Sequence, residues 1–212
     1  MTGPTILFDI DGTLVRFHGL GRRAMALAME EVWGLRGALD GVSFAGATDS
    51  GVAARVGPGR DRSAMWSRYV AYLREAAAAR EDLAPLDGVV PLLDALRARR
   101  ARLGLLTGNV REGAVIKLAA VGILDRFDLG VSGFAEDGVE RTEIAATARR
   151  RCGDAPLVVV GDTVADILGA RHIGARSLAV AWGFEEAPAL ASARPDRLVS
   201  ALGPELVPWL LG

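Results

Sequence analysis

The chain has 212 residues, a formal net charge of −1 at pH 7 and one cysteine, Cys152. Its length suits one compact domain or a domain with a large insertion, and its near-neutral charge argues against a general binder of nucleic acid or membrane surfaces. A single cysteine excludes an internal disulfide and favours a cytoplasmic location. We expect no membrane span, because no apolar run is long enough, and no signal peptide at Met1-Thr2-Gly3-Pro4.

Short apolar runs, each ending in turn residues, recur along the chain and predict the strands of a sheet. The four runs are 5–8, 103–106, 157–160 and 177–181. Helical patterns accompany them at 89–100, 111–121, 143–151 and 164–171. Strands rich in Val, Ile and Leu that alternate with helices predict an α/β fold, with a parallel sheet covered on both faces.

One long segment interrupts this alternation between the first two strands. It covers roughly 70 residues, far more than an ordinary connection, and its apolar residues recur at helical intervals. The predicted helices are 22–33, 51–56 and 62–80. We therefore predict two units, a core formed by 1–15 and 86–212 and a helical cap formed by 16–85.

Polar residues follow three of the predicted strands, at the end where ligands bind in an open parallel sheet. They are Asp9 and Asp11 after the first strand, Thr107 and Asn109 after the second, and Asp162 and Asp166 after the third. Each of them alone could be an ordinary turn or capping residue, and Asn109 is a credible N-cap. The agreement of three strand ends favours a functional site.

The residue types at these strand ends suit phosphoryl transfer. Clustered carboxylates raise one another's pKa unless a cation lies between them, and a few hard oxygen ligands suit Mg²⁺. One carboxylate could attack phosphorus to form an aspartyl-phosphate, while a second, two residues away, protonates the leaving oxygen and later activates water. The hydroxyl of Thr107 and the N–H groups of the helix that follows could bind the phosphate.

Three motifs together resemble the haloacid dehalogenase-like superfamily of hydrolases. They are Asp9-Ile10-Asp11-Gly12-Thr13, Leu106-Thr107-Gly108-Asn109 and Gly161-Asp162-Thr163-Val164-Ala165-Asp166. In order and spacing they are most similar to the phosphoglycolate-phosphatase-like branch. The resemblance implies a Rossmann-like core with an inserted helical cap, and a Mg²⁺-dependent phosphatase that acts on a small phosphorylated metabolite and binds neither nucleic acid nor membrane.

The same resemblance implies a role for each motif residue. Asp9 would be the nucleophile and Asp11 the general acid and base. Mg²⁺ would be held by Asp9, the backbone carbonyl of Asp11 and Asp162, with support from Asp166. The substrate phosphate would be bound by Thr107, Gly108 and Asn109.

The chain departs from the family pattern at one positively charged residue. The family usually carries a lysine between its second and last motifs, whereas Arg141 stands at that point in this sequence. An arginine keeps the positive charge and adds a planar fork suited to phosphate, so we assign Arg141 to the phosphate and the nucleophile. Lys117, the other candidate, lies in the helix after the second motif, and we interpret it as a solvated side chain.

Several alternatives remain open on the sequence. A dehalogenase would lack the second aspartate, so Asp11 favours phosphoryl transfer, but a sugar-phosphate mutase would keep both aspartates. A non-catalytic sensor of phosphorylated ligands is a further possibility. Residues 46–49 of the cap could face the substrate or could only cap a helix. Phosphoglycolate, a sugar phosphate and a nucleotide all remain candidate substrates, and the oligomeric state is unknown.

Overall fold

A computed structural model describes residues 3–212 of the chain. Met1 and Thr2, which belong to the predicted core and to the stretch expected to lack a signal peptide, lie outside the described residues. Over the described part of the chain, no helix is both long and apolar enough to cross a membrane.

One parallel sheet of five strands forms the centre of the core. Its strands are β1 (Thr5–Phe8), β2 (Arg102–Leu105), β3 (Leu157–Gly161), β4 (Arg176–Val180) and β5 (Arg197–Val199), in the order β2-β1-β3-β4-β5. Every residue of β1 and β3 is buried, as expected for strands covered on both faces of the sheet. Phe8 pairs with Leu105 on one side and with Val160 on the other, so three strands end at one level.

Helices connect the strands and cover the sheet. They are α1 (Leu20–Trp33), α2 (Asp49–Val56), α3 (Ser63–Ala78), α4 (Val89–Ala98), α5 (Arg111–Ala120), α6 (Arg141–Cys152), α7 (Val164–His172), α8 (Ala187–Ser192) and α9 (Val207–Leu211). The predicted α/β fold with a parallel sheet is confirmed, and the four predicted strands agree with β1 to β4 within one residue. The sequence did not predict β5, α8 or α9, which have three, six and five residues.

The first three helices all lie in the long segment between β1 and β2. In this segment α1 packs against α3, and α3 also packs against α5. The two ends of the segment lie side by side, because Val15 forms an antiparallel bridge with Pro85 and the amide of Leu86 donates to the carbonyl of Leu14 at 2.9 Å. This adjacency favours an insertion that begins and ends at one point, and the division into a core and a cap at 16–85 stays a prediction.

Candidate active site

A cavity of about 630 Å³ lies where the strand ends meet the helices of the long segment. Its lining includes five residues proposed from the sequence, which are Asp9, Asp11, Gly108, Asn109 and Arg141. The long segment contributes the opposite wall, including Phe17, Gly21, Phe44, Asp49 and Tyr69. Five of the predicted site residues and part of the predicted cap therefore line one cavity, whereas Thr107, Asp162 and Asp166 are not among its lining residues.

Three carboxylates meet at the floor of this site. One oxygen from each of Asp9, Asp162 and Asp166 lies within 4.8 Å of the others, and all three residues are buried. Asp9 continues directly from β1, where its amide donates to the carbonyl of Val160 at 2.9 Å. Asp162 follows β3 in the same way, so the parallel register of the sheet brings the two carboxylates together.

Hydrogen bonds hold the last two carboxylates in place. The Thr13 hydroxyl donates to Asp162 Oδ1 at 3.0 Å, and the Phe184 amide donates to Asp162 Oδ2 at 2.6 Å. The Thr163 hydroxyl donates to Asp166 Oδ2 at 2.7 Å, in a capping box at the start of α7. Sequence reasoning missed the side chain of Thr13 and the amide of Phe184. Thr13 could have been found from its place in the first motif, whereas Phe184 gives no sequence signal.

The close approach of the first motif to Asp162 requires a glycine at position 12. Gly12 has a φ of 80°, and a Cβ on it would collide with the carboxylate of Asp162. The turn after Asp11 therefore passes close to the carboxylate cluster only because position 12 has no side chain.

The electrostatics of the cluster indicate that it needs a cation. Burial, opposed by Arg141 and reinforced by Asp166 and Asp11, raises the pKa of Asp9 to about 7. Burial together with the neighbouring Asp9 and Asp166 raises the pKa of Asp162 to about 8. Two carboxylates whose pKa values are raised this far are unstable as anions unless a positive charge lies nearby.

The donor set at the cluster fits a hard divalent cation. It offers only carboxylate oxygens, the ligand type that such ions prefer. Among residues 3–212, Asp166 Oδ1 has no hydrogen-bond partner although it is buried. An unpaired buried oxygen is costly, and a cation held by the three carboxylates would satisfy it.

Arg141 reaches the nucleophile position from the start of α6. Its Nη1 donates to Asp9 Oδ1 at 3.2 Å and to the carbonyl of Leu106 at 2.9 Å, and its Nε lies 3.6 Å from Asp166 Oδ1. The side chain is only 6% exposed. The structure thus brings Arg141 to the carboxylates, as the sequence analysis expected, while its role toward phosphate stays a prediction.

The second motif forms a network at the end of β2. Thr107 is buried, and its hydroxyl oxygen accepts hydrogen bonds from the side chain of Asn109 at 2.8 Å and from the Asn109 amide at 3.3 Å. The interpretation of Asn109 as an N-cap is wrong, because the N-cap of α5 is Val110. The Asn109 side chain instead turns back toward Asp11, to which its Nδ2 donates at 2.8 Å.

Lys117 belongs to this network, so its interpretation as a solvated side chain is wrong. Its Nζ donates to Asp11 Oδ2 at 2.5 Å and to Asn109 Oδ1 at 2.6 Å, and the side chain is only 5% exposed. Position 117 is on the face of α5 that lies between the core and the long segment. Which face of the helix meets that segment depends on packing and cannot be read from the sequence around Lys117.

Residues 46–49 both cap a helix and contact the core. The Thr48 hydroxyl accepts from the Gly51 amide at 2.8 Å as N-cap of α2, and it also donates to the carbonyl of Val139 at 2.5 Å. Asp49 Oδ2 accepts from the Val110 amide at 2.9 Å, at the start of α5. A Cβ on Gly108 would lie 2.5 Å from the carbonyl oxygen of Ala47, so this approach of the two segments also requires a glycine.

The sequence matches the model of one protein family, described as haloacid dehalogenase-like hydrolase, over residues 4–174. The chain therefore belongs to the haloacid dehalogenase-like hydrolases. Similar proteins include phosphoglycolate phosphatases from Synechococcus elongatus, 33% identical over 53% of each chain, and from Caulobacter vibrioides, 29% identical over 98% of this chain and 87% of that one. The match to the Synechococcus protein spans about half of that relative's length.

Solved structures share the fold of this chain. CbbY from Rhodobacter sphaeroides in complex with phosphate superposes with a TM-score of 0.73 at 20% identity, over 97% of this chain and 96% of that one. The expected likeness to the phosphoglycolate-phosphatase-like branch is confirmed by the two phosphoglycolate phosphatases. Within its family, the chain is a hydrolase of the phosphatase class.

Proposed function

We propose that the protein is a Mg²⁺-dependent phosphatase that hydrolyses a small phosphomonoester through an aspartyl-phosphate on Asp9. The observation that carries this proposal is the position of Asp9 itself. It faces the cavity, it belongs to a cluster of three buried carboxylates, and its Oδ1 accepts from Arg141 at 3.2 Å. A nucleophile of this kind needs a fixed cation beside it, because the incoming phosphate is also an anion.

In the first step, an oxygen of Asp9 attacks phosphorus and the bond from phosphorus to the leaving oxygen breaks. Asp11, at the cavity wall two residues away, donates a proton to that leaving oxygen. The guanidinium of Arg141 stabilises the negative charge shared by Asp9 and the transferred phosphoryl group. The oxygens of the phosphoryl group are bound by the amide of Gly108 and the hydroxyl of Thr107, while the side chain of Asn109 donates to Thr107 and Asp11 and holds these two residues in place.

In the second step, water attacks the phosphoryl group and the bond between phosphorus and the Asp9 oxygen breaks. Asp11 takes a proton from that water, which restores the proton given up in the first step. Inorganic phosphate leaves and Asp9 is regenerated, so the enzyme returns to its starting state with atoms and protons balanced.

Mg²⁺ would be held by Asp9, Asp162 and the backbone carbonyl of Asp11, with Asp166 in support. When bound, it supplies positive charge that neutralises the carboxylate cluster and the substrate phosphate. The raised pKa values of Asp9 and Asp162, which arise first from burial, support the need for that charge. The residues present therefore fit the ion.

The size of the cavity supports a small metabolite as substrate. A volume of about 630 Å³ lies in the usual range for small-molecule sites. The wall formed by the long segment, which includes Phe44, Asp49 and Tyr69, would contact the part of the substrate beyond its phosphate. A cytoplasmic location and a small phosphorylated partner, without nucleic acid or membrane, belong to the same proposal.

The test is hydrolysis of a generic aryl phosphate with Mg²⁺, followed by a screen of phosphorylated metabolites. Wild-type protein should release phosphate with Mg²⁺ and stop when the ion is chelated, and acid quench should trap a phosphorylated protein. Asp9→Asn should lose turnover and the phosphorylated species while keeping the wild-type thermal melt. Near-native turnover by that variant would refute the covalent mechanism, and release of an isomerised sugar phosphate instead of phosphate would identify a mutase.

A further inference from the structure

A second buried positive charge, the ammonium of Lys117, contacts Asp11, the other aspartate of the first motif. We propose that Lys117 is a positioning residue, which holds the carboxylate of Asp11 in the orientation needed for proton transfer. This inference rests on the proposed function, because Asp11 has an acid and base role only if the protein transfers a phosphoryl group.

Lys117, Asp11 and Asn109 form a closed ring of hydrogen bonds. Lys117 Nζ donates to Asp11 Oδ2 at 2.5 Å and to Asn109 Oδ1 at 2.6 Å, and Asn109 Nδ2 donates to the same Asp11 Oδ2 at 2.8 Å. A ring of three bonds leaves little freedom to any of its members. It determines which way the amide of Asn109 points and which rotamer Asp11 adopts.

The ring leaves one oxygen of Asp11 available. Both donors bind Oδ2, and among residues 3–212 no donor contacts Oδ1. The Asp11 side chain is 25% exposed, in contrast to Lys117 at 5%. Lys117 therefore holds the inner oxygen, while the outer oxygen remains free for the leaving group of a substrate in the cavity.

The burial of the Lys117 ammonium group must be compensated by its contacts. Taking a charge out of water is costly unless it is paired and hydrogen-bonded, and within residues 3–212 Lys117 forms its ion pair with Asp11 and its hydrogen bonds with Asp11 and Asn109. Residues of the long segment complete its surroundings, because the ring of Phe17 has its centroid 5.7 Å from Nζ and a Cβ on Gly21 would lie 3.4 Å from it. These contacts therefore hold the ammonium of Lys117, the single lysine in the sequence, beside Asp11.

Each aspartate of the first motif contacts a different buried cationic side chain. Arg141 contacts Asp9 at 3.2 Å, and Lys117 contacts Asp11 at 2.5 Å, from different helices. Proton transfer depends on orientation, and a misplacement of about 1 Å in a reacting group can cost on the order of a hundredfold in rate. Loss of Lys117 should therefore impair the steps that use Asp11 and spare those that do not.

The experiment measures phosphoryl transfer to the enzyme in a single turnover, with two substrates of different leaving group. p-Nitrophenyl phosphate has a leaving group that needs no proton, whereas an alkyl phosphate needs one from Asp11. Lys117→Met keeps the length of the side chain and removes the charge. We expect transfer from the alkyl phosphate to slow about tenfold to a hundredfold, as for the loss of a charge-assisted hydrogen bond, with transfer from the aryl phosphate near wild type.

Two further variants separate positioning from a general structural effect. Lys117→Arg should recover part of the alkyl rate, since it restores a donor near Asp11. Adding Lys117→Met to Asp11→Asn should cost nothing more, because the group that Lys117 orients is already lost. Glu112→Gln is the matched control on the same helix, since its pair with Arg74 is exposed, and it should leave both rates unchanged.

Equal losses on both substrates, or additive losses in the double variant, would overturn the inference while leaving the proposed function intact. A normal alkyl rate in a folded Lys117→Met protein would do the same. Absence of Mg²⁺-dependent turnover in the wild type would instead overturn the proposed function, and this inference with it. Thermal melts of each variant establish that the compared proteins are folded.

Discussion

Replacing Arg141 with alanine tests the electrostatic basis of the site most directly. The substitution removes a guanidinium that is 6% exposed and that donates to Asp9 Oδ1 at 3.2 Å. It also removes the charge that lies 3.6 Å from Asp166 Oδ1. We expect a large loss of phosphatase activity, because the nucleophile and the incoming phosphate would then face each other with one cation fewer.

The magnitude follows from the contacts of the guanidinium. The distance to Asp9 is within hydrogen-bond range, whereas the distance to Asp166 exceeds it, so we count one charge-assisted hydrogen bond. Such a bond contributes roughly 1.5–3 kcal/mol, and about 1.4 kcal/mol corresponds to a factor of ten in rate. The expected decrease in kcat/KM is therefore about tenfold to somewhat more than a hundredfold.

The assay is steady-state hydrolysis of an aryl phosphate at saturating Mg²⁺, with thermal melts to establish folding. Arg141→Lys should restore part of the activity, because a lysine keeps the charge but not the planar fork. Arg151→Ala is the matched control: it lies on the same helix and pairs with an aspartate, Asp137, at 2.6 Å. It should lower stability at most and leave kcat/KM near wild type.

Near-native kcat/KM in a folded Arg141→Ala protein would refute this reasoning. It would mean that the cluster obtains all the positive charge it needs from the bound metal. A loss of equal size in Arg141→Ala and Arg151→Ala would refute it as well, since the effect would then come from the helix rather than from the contact with Asp9.

Two other predictions concern aspartates on opposite walls of the cavity. Asp11→Asn should still accept a phosphoryl group from an aryl phosphate, but hydrolysis of the phosphorylated enzyme should be at least about a hundredfold slower than in wild type. Burst kinetics measure the two steps separately. Equal steady-state rates for the variant and wild type on an alkyl phosphate would remove Asp11 from the proton-transfer role. Burial raises the pKa of Asp49 to about 6 from 3.8, against the opposing effects of Lys117 and the Val110 amide. The stability linked to this shift is present below pH 3.8 and is lost as pH rises through about 6, so Asp49→Asn should become more stable than wild type by up to roughly 3 kcal/mol above that window. Urea unfolding of both proteins at about pH 4 and about pH 7 checks the sign, and a difference that does not change with pH would contradict it.

Local sequence determined the central strands of this protein and the residues at their ends. Every residue of β1 and β3 is buried, as in strands covered on both faces, and an aspartate directly follows each strand, Asp9 after β1 and Asp162 after β3. Because parallel strands end at one edge, Asp9 and Asp162 could be expected to meet before any contact was known. Arg141 was expected at this edge from the resemblance to the family pattern rather than from the strands, and its side chain does donate to Asp9.

Tertiary packing alone decided the surroundings of Lys117 and the role of Asn109. Lys117 suited an ordinary exposed helix and Asn109 an ordinary N-cap, and only the packing of α3 and the loop around Phe17 against α5 encloses the ammonium beside Asp11. A helical pattern indicates the face that is apolar, but it does not identify a charged residue that is buried by pairing with a group about a hundred positions away. The strand β5 was missed for a related reason, since its three half-exposed residues become a strand only by pairing with β4.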